Sequence, residues 1–588
     1  MSGQTRRPRH LTQELGDGPA CSARTFKAAF DGAVYAPARH QLDVLMIENN
    51  RGRPREFTPL QFFTLAFINA LEKRPMLFTK IYDTFLGLTE NQRRALGMTS
   101  LSYDQVAGFA ARVKDLVDAQ LLDGVDLMNG VFQHTAPDLP VISLAVDSTD
   151  YETHARIRAY WNRTSDQAPT SHEIEAEPEA DLGASSRRGT WPILRPDNRL
   201  QRTADPDARD GHRSARDNKP SGPFVGYDLT LAVNTRLFRS KDTVPGYIAA
   251  ANLTAAGSHH ARAAIGLIET LHNKGQTIAD VVADRAYNNA KTEFWTGALR
   301  AMGIAPVFDL TLVQRRQRPG PKPGTIIIDG TLFSVALPQR LRELPAYAIG
   351  MTTEARATLM SLYDERKPYA FRSMGKAAGG KQRFRGPVRT DSPSKVCCPN
   401  NDVSMKNRLT HPVTECDDKD CGCSRSTILA DDYMPNIRQR SIYGTTDWNK
   451  DYHRRNAVEA ANSALRTQFH LDRGYTRVFG RVKNAFLLAF TIFAYNYDCI
   501  TSHFRSRGLT VPAEYPIVKM APRKSPAPKD SAKQATITNR SQSPQAANSG
   551  PPKRYQHLNA PAPRSAVDRC PEIANPDSTT GNRRICAV

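Results

Sequence analysis

Two short apolar runs constrain most strongly what this chain of 588 residues folds into. Val141-Ile142-Ser143-Leu144-Ala145-Val146 stops at Asp147, and Asp280-Val281-Val282-Ala283 stops at Asp284. Both are β-prone and bounded by polar sequence, so they read as strands. Tyr227, Leu229, Leu231 and Val233 stand at every second position, which marks a third strand. Ile326-Ile327-Ile328, Asp329-Gly330 and Leu332–Val335 read as a β-hairpin with a two-residue turn. Helical patterns run between and after these strands, over Ala261–Leu271, Asp451–Phe469 and Val482–Tyr497. Strand-like and helix-like segments thus both occur along this part of the chain.

The flanking sequence differs in character. From Thr58 to about Gln120 the pattern is helical, with Thr58-Pro59 as an N-cap and first-turn pair. Ser102 opens a stretch with Val106, Phe109, Val113 and Val117 at three- and four-residue steps. These features predict a helical N-terminal domain over 41–138, ahead of a main domain over 139–500. Residues 1–40 are basic and polar and read as a frayed arm. The polar stretch at about 160–222 and the Lys-, Arg- and Gly-rich stretch within about 305–440 read as insertions. Residues 501–588 are rich in Pro, Ser, Ala, Lys and Asn without periodicity, the composition of a disordered tail.

Charge narrows the partners. The chain carries 80 Lys and Arg against 59 Asp and Glu, for a formal charge of +21. Such a surplus favours a polyanion, with nucleic acid first, although a generically basic surface gives the same balance. The longest apolar stretches fall short of the roughly 20 residues that span a bilayer. The basic first residues have no apolar run behind them, so no secretory signal is expected. Nine cysteines, an odd number, fit a reducing interior better than a disulfide scaffold. The expectation is a cytoplasmic protein without a membrane partner.

Three carboxylates stand out. Asp147 and Asp284 each follow an apolar run, where a carboxylate can face a cleft while its strand stays buried; Asp also stops strands simply because it favours turns. In the helix near residue 459, Tyr452, Arg455, Glu459 and Arg466 fall in one sector at about 100° per residue. Val458, Ala461 and Leu465 form an adjacent apolar stripe. An exposed face paired by Arg455 and Glu459 would account for the same spacing.

The series Tyr452-x2-Arg455-x3-Glu459-x6-Arg466 resembles the Tyr-x2-Arg-x3-Glu-x6-Lys/Arg signature of a large group of DDE-type bacterial insertion-sequence transposases. Val146-Asp147-Ser148-Thr149 resembles the first acidic motif of that group, and Ala283-Asp284-Arg285-Ala286-Tyr287 the second. Thr203–Arg209 and Gly226-Tyr227 resemble a segment between those motifs, and Gly480–Tyr497 the helix that closes the domain. The likeness covers about 140–500. Arg466 stands where the signature has Lys, which keeps the charge and changes its geometry.

The resemblance implies an RNase H-like fold: a mixed sheet flanked by helices, with the first Asp on the first strand, the second after a later strand, and the Glu on a packed helix. It implies that Asp147, Asp284 and Glu459 bind two Mg²⁺ or Mn²⁺ ions, and that Tyr452, Arg455 and Arg466 contact DNA phosphates. The implied activity is cleavage of DNA at the ends of an insertion sequence and strand transfer into target DNA, by a homodimer in a synaptic complex, with no nucleotide cofactor. A catalytically inactive DNA-binding descendant, or a nuclease without strand transfer, would share the fold.

Other signals bear less on that chemistry. Gly375–Lys381 nearly matches a phosphate-binding loop, but Gln382 replaces the Ser or Thr and no apolar strand precedes it. Cys397, Cys398, Cys416, Cys421 and Cys423 cluster within one stretch and suggest a structural Zn²⁺ site, with free thiols as the alternative. Arg51-Gly52-Arg53-Pro54 matches the core of a minor-groove hook, or a basic turn. His259-His260 and His272 have no acid–base partner visible in sequence, and Trp295 and Trp448 read as packing residues.

Overall fold

The computed structural model describes residues 15–48, 57–155, 193–194, 200–201, 203–213, 221–348, 350–377, 381–388, 396–415, 421–430, 432–471 and 476–510. The first strand does not stop at Asp147. It continues as β1 (Ile142–Glu152), because the polar residues after Asp147 find partners on a neighbouring strand. That neighbour is β5 (Gly222–Thr235), antiparallel to β1 from Ser143↔Thr235 to Glu152↔Gly226. A two-residue pair, β2 (Ile193–Leu194) and β3 (Leu200–Gln201), lies outside this sheet.

The far edge of β5 is shared in series. β4 (Arg209–Arg213) pairs with its first residues and β6 (Ile248–Ala255) with the rest, both antiparallel. On the other side of β1 lie β7 (Ile278–Ala283) and β8 (Ala305–Val307), each parallel to its inner neighbour. The result is a mixed sheet ordered β4-β5-β1-β7-β8, with β6 also on β5. β4 and β8 therefore belong to the main sheet, and the expected insertions are shorter than 160–222 and 305–440. Asp205, within the expected first insertion, is fully buried. It accepts hydrogen bonds from Tyr227 (2.7 Å), Thr153 (2.7 Å) and the Gly480 backbone (2.9 Å). Composition hid this segment, because its polar residues are satisfied by one another and by the strands.

Helix α1 (Ala23–Tyr35) and the first turn of α2 (Pro37–Glu48) occupy sequence expected to fray. Five more precede the sheet: α3 (Pro59–Leu71), α4 (Phe78–Leu86), α5 (Glu90–Ala95), α6 (Tyr103–Asp118) and α7 (Gly124–Phe132). The Thr58 side chain and Gln61 close a capping box at α3, as the Thr-Pro start predicts. These helices share a core with the last described helix. Rings of Phe62, Phe63 and Phe67 on α3 pack on Phe486, Phe490 and Phe493 of α16 (Arg481–Ser506), with centroids as close as 3.9 Å for Phe67–Phe493. One apolar cluster contains these rings together with Leu229, Leu231 and Leu253 of the sheet. The opposite face, with Leu144 and Val146, packs on α8 (His260–Asn273), which connects β6 to β7.

After β7 come α9 (Arg285–Asn288) and α10 (Thr296–Ala301). Between β8 and the last helices, α11 (Leu312–Arg315), α12 (Thr353–Asp364) and α13 (Asp402–Met405) accompany two small antiparallel sheets. One comprises β9 (Arg318–Pro319), β10 (Thr325–Ile328) and β11 (Thr331–Ser334), and the other β12 (Arg372–Ala377), β13 (Lys381–Arg385) and β14 (Ser426–Ala430). The β10–β11 hairpin turns at Asp329-Gly330, both with positive φ (47° and 72°), as a two-residue turn requires. A Cβ at Gly330 would lie 1.7 Å from the Ile437 carbonyl oxygen. Gly375–Ala377 and Lys381 lie on the β12–β13 pair, and residues 378–380 between them lie outside the described residues.

Of the expected features, the Arg51–Pro54 hook, Cys416 and residues 511–588 of the tail lie outside the described residues. Residues 501–506 were expected in the tail and instead complete α16. No helix among the described residues is long and apolar enough to cross a membrane.

Candidate active site

Parallel pairing of β1 with β7 runs from Ser143↔Asp280 to Val146↔Ala283. One step further along both strands stand Asp147 and Asp284, side by side where β7 gives way to α9. Ligand sites of open α/β sheets gather outside the carboxyl ends of parallel strands, where neighbouring chains diverge. Asp284 also caps α9, its Oδ1 accepting from the Ala286 backbone at 2.8 Å. The turn-forming role of aspartate is therefore real at this position, and it leaves the second carboxylate oxygen.

The third carboxylate arrives on a helix. The single helix expected over Asp451–Phe469 is two, α14 (Thr446–Tyr452) and α15 (Asn456–Gln468), joined by a 3-10 turn at His453–Arg455. Val458, Ala461 and Leu465 are buried against the sheet, as the apolar stripe requires. Alternation along β1 sends Ser143, Asp147, Thr149 and Tyr151 to the face covered by these C-terminal elements. They are met in sequence order. Arg454 reaches Asp280, which Ser143 also bonds; Arg455 reaches Asp147; Arg466 reaches Thr149 and Asp150; Asn484 reaches Tyr151.

Arg455 joins two of the three acids. Its Nη2 lies 3.7 Å from Asp147 Oδ2 and its Nη1 2.7 Å from Glu459 Oε1. Burial pushes the Asp147 carboxyl up to about 6; Arg455 opposes that rise, and Asp284 and then Glu459 add to it. Asp147 thus feels both of the other acids. Their oxygens are not drawn to ligand spacing, however. Among the described residues, the sole group of three or more such ligand atoms mutually within 4.8 Å is Cys398, Cys421 and Cys423. Glu459 is half-exposed and held by its ion pair with Arg455. Burial weakens the Arg455 charge, and Asp147, Tyr452 and Glu459 more than restore it, raising its pKa.

Tyr452 and Arg466 differ in surroundings. Tyr452 stacks on Trp448 at 4.9 Å between centroids and stands near Asp309 and Asp284. Arg466 Nη2 donates to Thr149 Oγ1 at 2.8 Å and to the Asp150 carbonyl at 2.5 Å. Its guanidinium docks α15 on β1, a role that the signature spacing did not reveal. Trp295 and Trp448 are buried, in keeping with packing.

A buried ionic network beneath the site was not legible in the sequence. Asp280 and Asp451, both without exposure of note, share Arg454 and Arg440. Arg454 Nη1 lies 2.7 Å from Asp280, and Arg440 spans Asp280 (2.9 Å) and Asp451 (2.7 Å). This network ties β7, four residues before Asp284, to the turn that presents Arg455. One signal was available: a charge inside the apolar run Asp280–Ala283 needs a partner when buried. On the opposite face, Ser148 bonds Tyr287 and Thr230, both at 2.8 Å. His260, without a visible partner in sequence, lies 3.0 Å from Asp228, and that hydrogen bond raises its pKa.

Comparison with protein-family models, with curated proteins and with solved structures returns no match.

Proposed function

We propose that this chain is a DDE-type transposase that cleaves DNA and transfers strands through a divalent-metal site at Asp147, Asp284 and Glu459. The observation that carries the reading is the register of β1 and β7, which sets Asp147, within β1, just beyond the last parallel pair and beside Asp284 at the end of β7, while α15 brings Glu459 to the Arg455 guanidinium that also pairs with Asp147. The mixed sheet, with the first acid on its first strand and the last on a packed helix, supports an RNase H-like fold.

The donor set fits the ions. Three carboxylates offer oxygen alone, which Mg²⁺ and Mn²⁺ prefer. The raised Asp147 carboxyl would gain from a cation beside it. When bound, two such ions activate the attacking water or 3′-hydroxyl and stabilise the leaving oxygen. The chain's own groups do the rest. Arg455 balances the carboxylates in the resting site and is near enough to bond a phosphate oxygen. Tyr452 lines the approach beside it, held by Trp448. Arg466 and Arg454 fix α15 and its preceding turn, so that Glu459 is presented to the strand ends. The basic surplus serves phosphate contacts along DNA, and pairing of two DNA ends calls for a dimer or larger complex.

The test uses a labelled duplex made from the DNA flanking the gene. It is incubated with Mg²⁺ and the protein or its Glu459→Gln variant, and products are resolved on a denaturing gel. End-specific nicks and joined products that disappear in the variant are expected. Specific binding without cleavage in either protein would identify an inactive DNA-binding descendant, and cleavage without joining a nuclease.

A further inference from the structure

The two small sheets between β8 and α14 carry a cluster that the phosphoryl-transfer site does not use. Cys398, Cys421 and Cys423 are buried (2%, 4% and 0% exposed), and their sulfurs lie mutually within 4.8 Å. Cys398 Sγ and Cys421 Sγ are 3.6 Å apart. We propose that Cys398, Cys421 and Cys423 are three ligands of a structural zinc ion that ties the β9–β11 sheet to the β12–β14 sheet.

The sulfurs come from separate chain segments, so one ion would link what the backbone leaves apart. Cys398 follows β13, whereas Cys421 and Cys423 lead into β14. The hairpin strand β11 closes on the cluster through Ser334, whose Oγ lies 2.9 Å from Cys423 Sγ and 2.8 Å from the Cys421 carbonyl oxygen. The backbone around the thiols is built to converge. Cys398 accepts a hydrogen bond from the Asn400 backbone N–H two residues on. Gly422, between the other two cysteines, has φ +74°, and a Cβ there would lie 2.3 Å from the Gly324 carbonyl oxygen. That glycine lets the two flanking cysteines approach β10 from a tight turn.

Cys397 is excluded by alternation. Its backbone bridges Val413, with Cys397 N donating to the Pro412 carbonyl at 2.8 Å. Neighbouring side chains on an extended segment point to opposite sides, so Cys398 faces the cluster and Cys397, although buried, does not. Thiolates are soft donors that select zinc over magnesium, which separates this site from the carboxylate site.

The test is independent of the transposase reading. The full chain is purified without chelator and its metal content measured by mass spectrometry. About one zinc per chain is expected, retained by Cys397→Ser and lost by Cys423→Ser. As a second measurement that needs no variant to fold, the wild-type protein is stripped with chelator and loaded with cobalt. Intense visible bands with sulfur-to-cobalt charge transfer identify a tetrahedral thiolate site. A metal-free protein that gives only the weak spectrum of six-coordinate cobalt would overturn the proposal, as would equal loss of zinc from Cys397→Ser and Cys423→Ser.

Discussion

Asp147→Asn is expected to stabilise the protein at alkaline pH while abolishing cleavage. The Asp147 carboxyl rises from 3.8 in the unfolded chain to about 6 in the fold. A tenfold change in proton affinity is worth about 1.4 kcal/mol, so keeping Asp147 ionised costs the fold about 3 kcal/mol at pH 8. A raised pKa has one sign: its contribution to stability is complete below pH 4 and is lost as pH rises through about 6. Asparagine removes the ionisation and keeps an oxygen for the Ser148 backbone N–H, now at 2.9 Å. It also takes a partner from Arg455, which retains Glu459 at 2.7 Å. The net gain at pH 8 is then about 1–2 kcal/mol, fading towards zero at pH 4. Urea unfolding of both proteins across pH 4–8, without divalent ions, measures it. Adding Mg²⁺ should raise the wild-type midpoint and leave the variant's unchanged. A variant less stable than wild type at pH 8, or a difference that does not vary with pH, would refute the account of Asp147 as a strained member of an acidic site.

Three further substitutions test what holds the fold together. Arg454→Met leaves Asp280 and Asp451 buried with Arg440 as their shared cation, and should destabilise by about 3 kcal/mol. Arg94→Ala, at an exposed i,i+4 pair, should cost about 0.5 kcal/mol or less in the same urea assay. Equal effects would mean that the buried network contributes no more than a surface pair. Phe63→Ala should cost about 3–5 kcal/mol and lower the transition read by tryptophan fluorescence. All four tryptophans lie outside 41–138, so an unchanged fluorescence midpoint would mean that α3 melts on its own.

The local pattern was legible where a single element carries it. The Asp329-Gly330 hairpin, the Thr58 cap, the apolar stripe of α15 and the strand ends at Asp284 follow from turn chemistry, capping and periodicity, all of which act within a few residues. Boundaries that depend on distant partners were not legible. β1 runs on past Asp147 because β5 pairs with residues too polar to look like a strand. β4 sits inside the fold because β5 pairs with it, and Asp205 because Tyr227, Thr153 and Gly480 satisfy it, although both read as insertion. The helices before the sheet look like a domain of their own until the phenylalanines of α16 complete their core.

Sequence alone determined that this is an α/β chain with a basic surplus, and it picked out Asp147, Asp284, Glu459 and Arg455 by residue type and spacing. Tertiary structure alone decided that Asp147 and Asp284 are neighbours, that Arg455 forms ion pairs with two of the acids, and that Arg466 docks a helix on β1. It also decided which three of the clustered cysteines converge. The physical reason is common to all of these: charge and burial act through distance in space, and strand register, rather than separation along the chain, sets that distance.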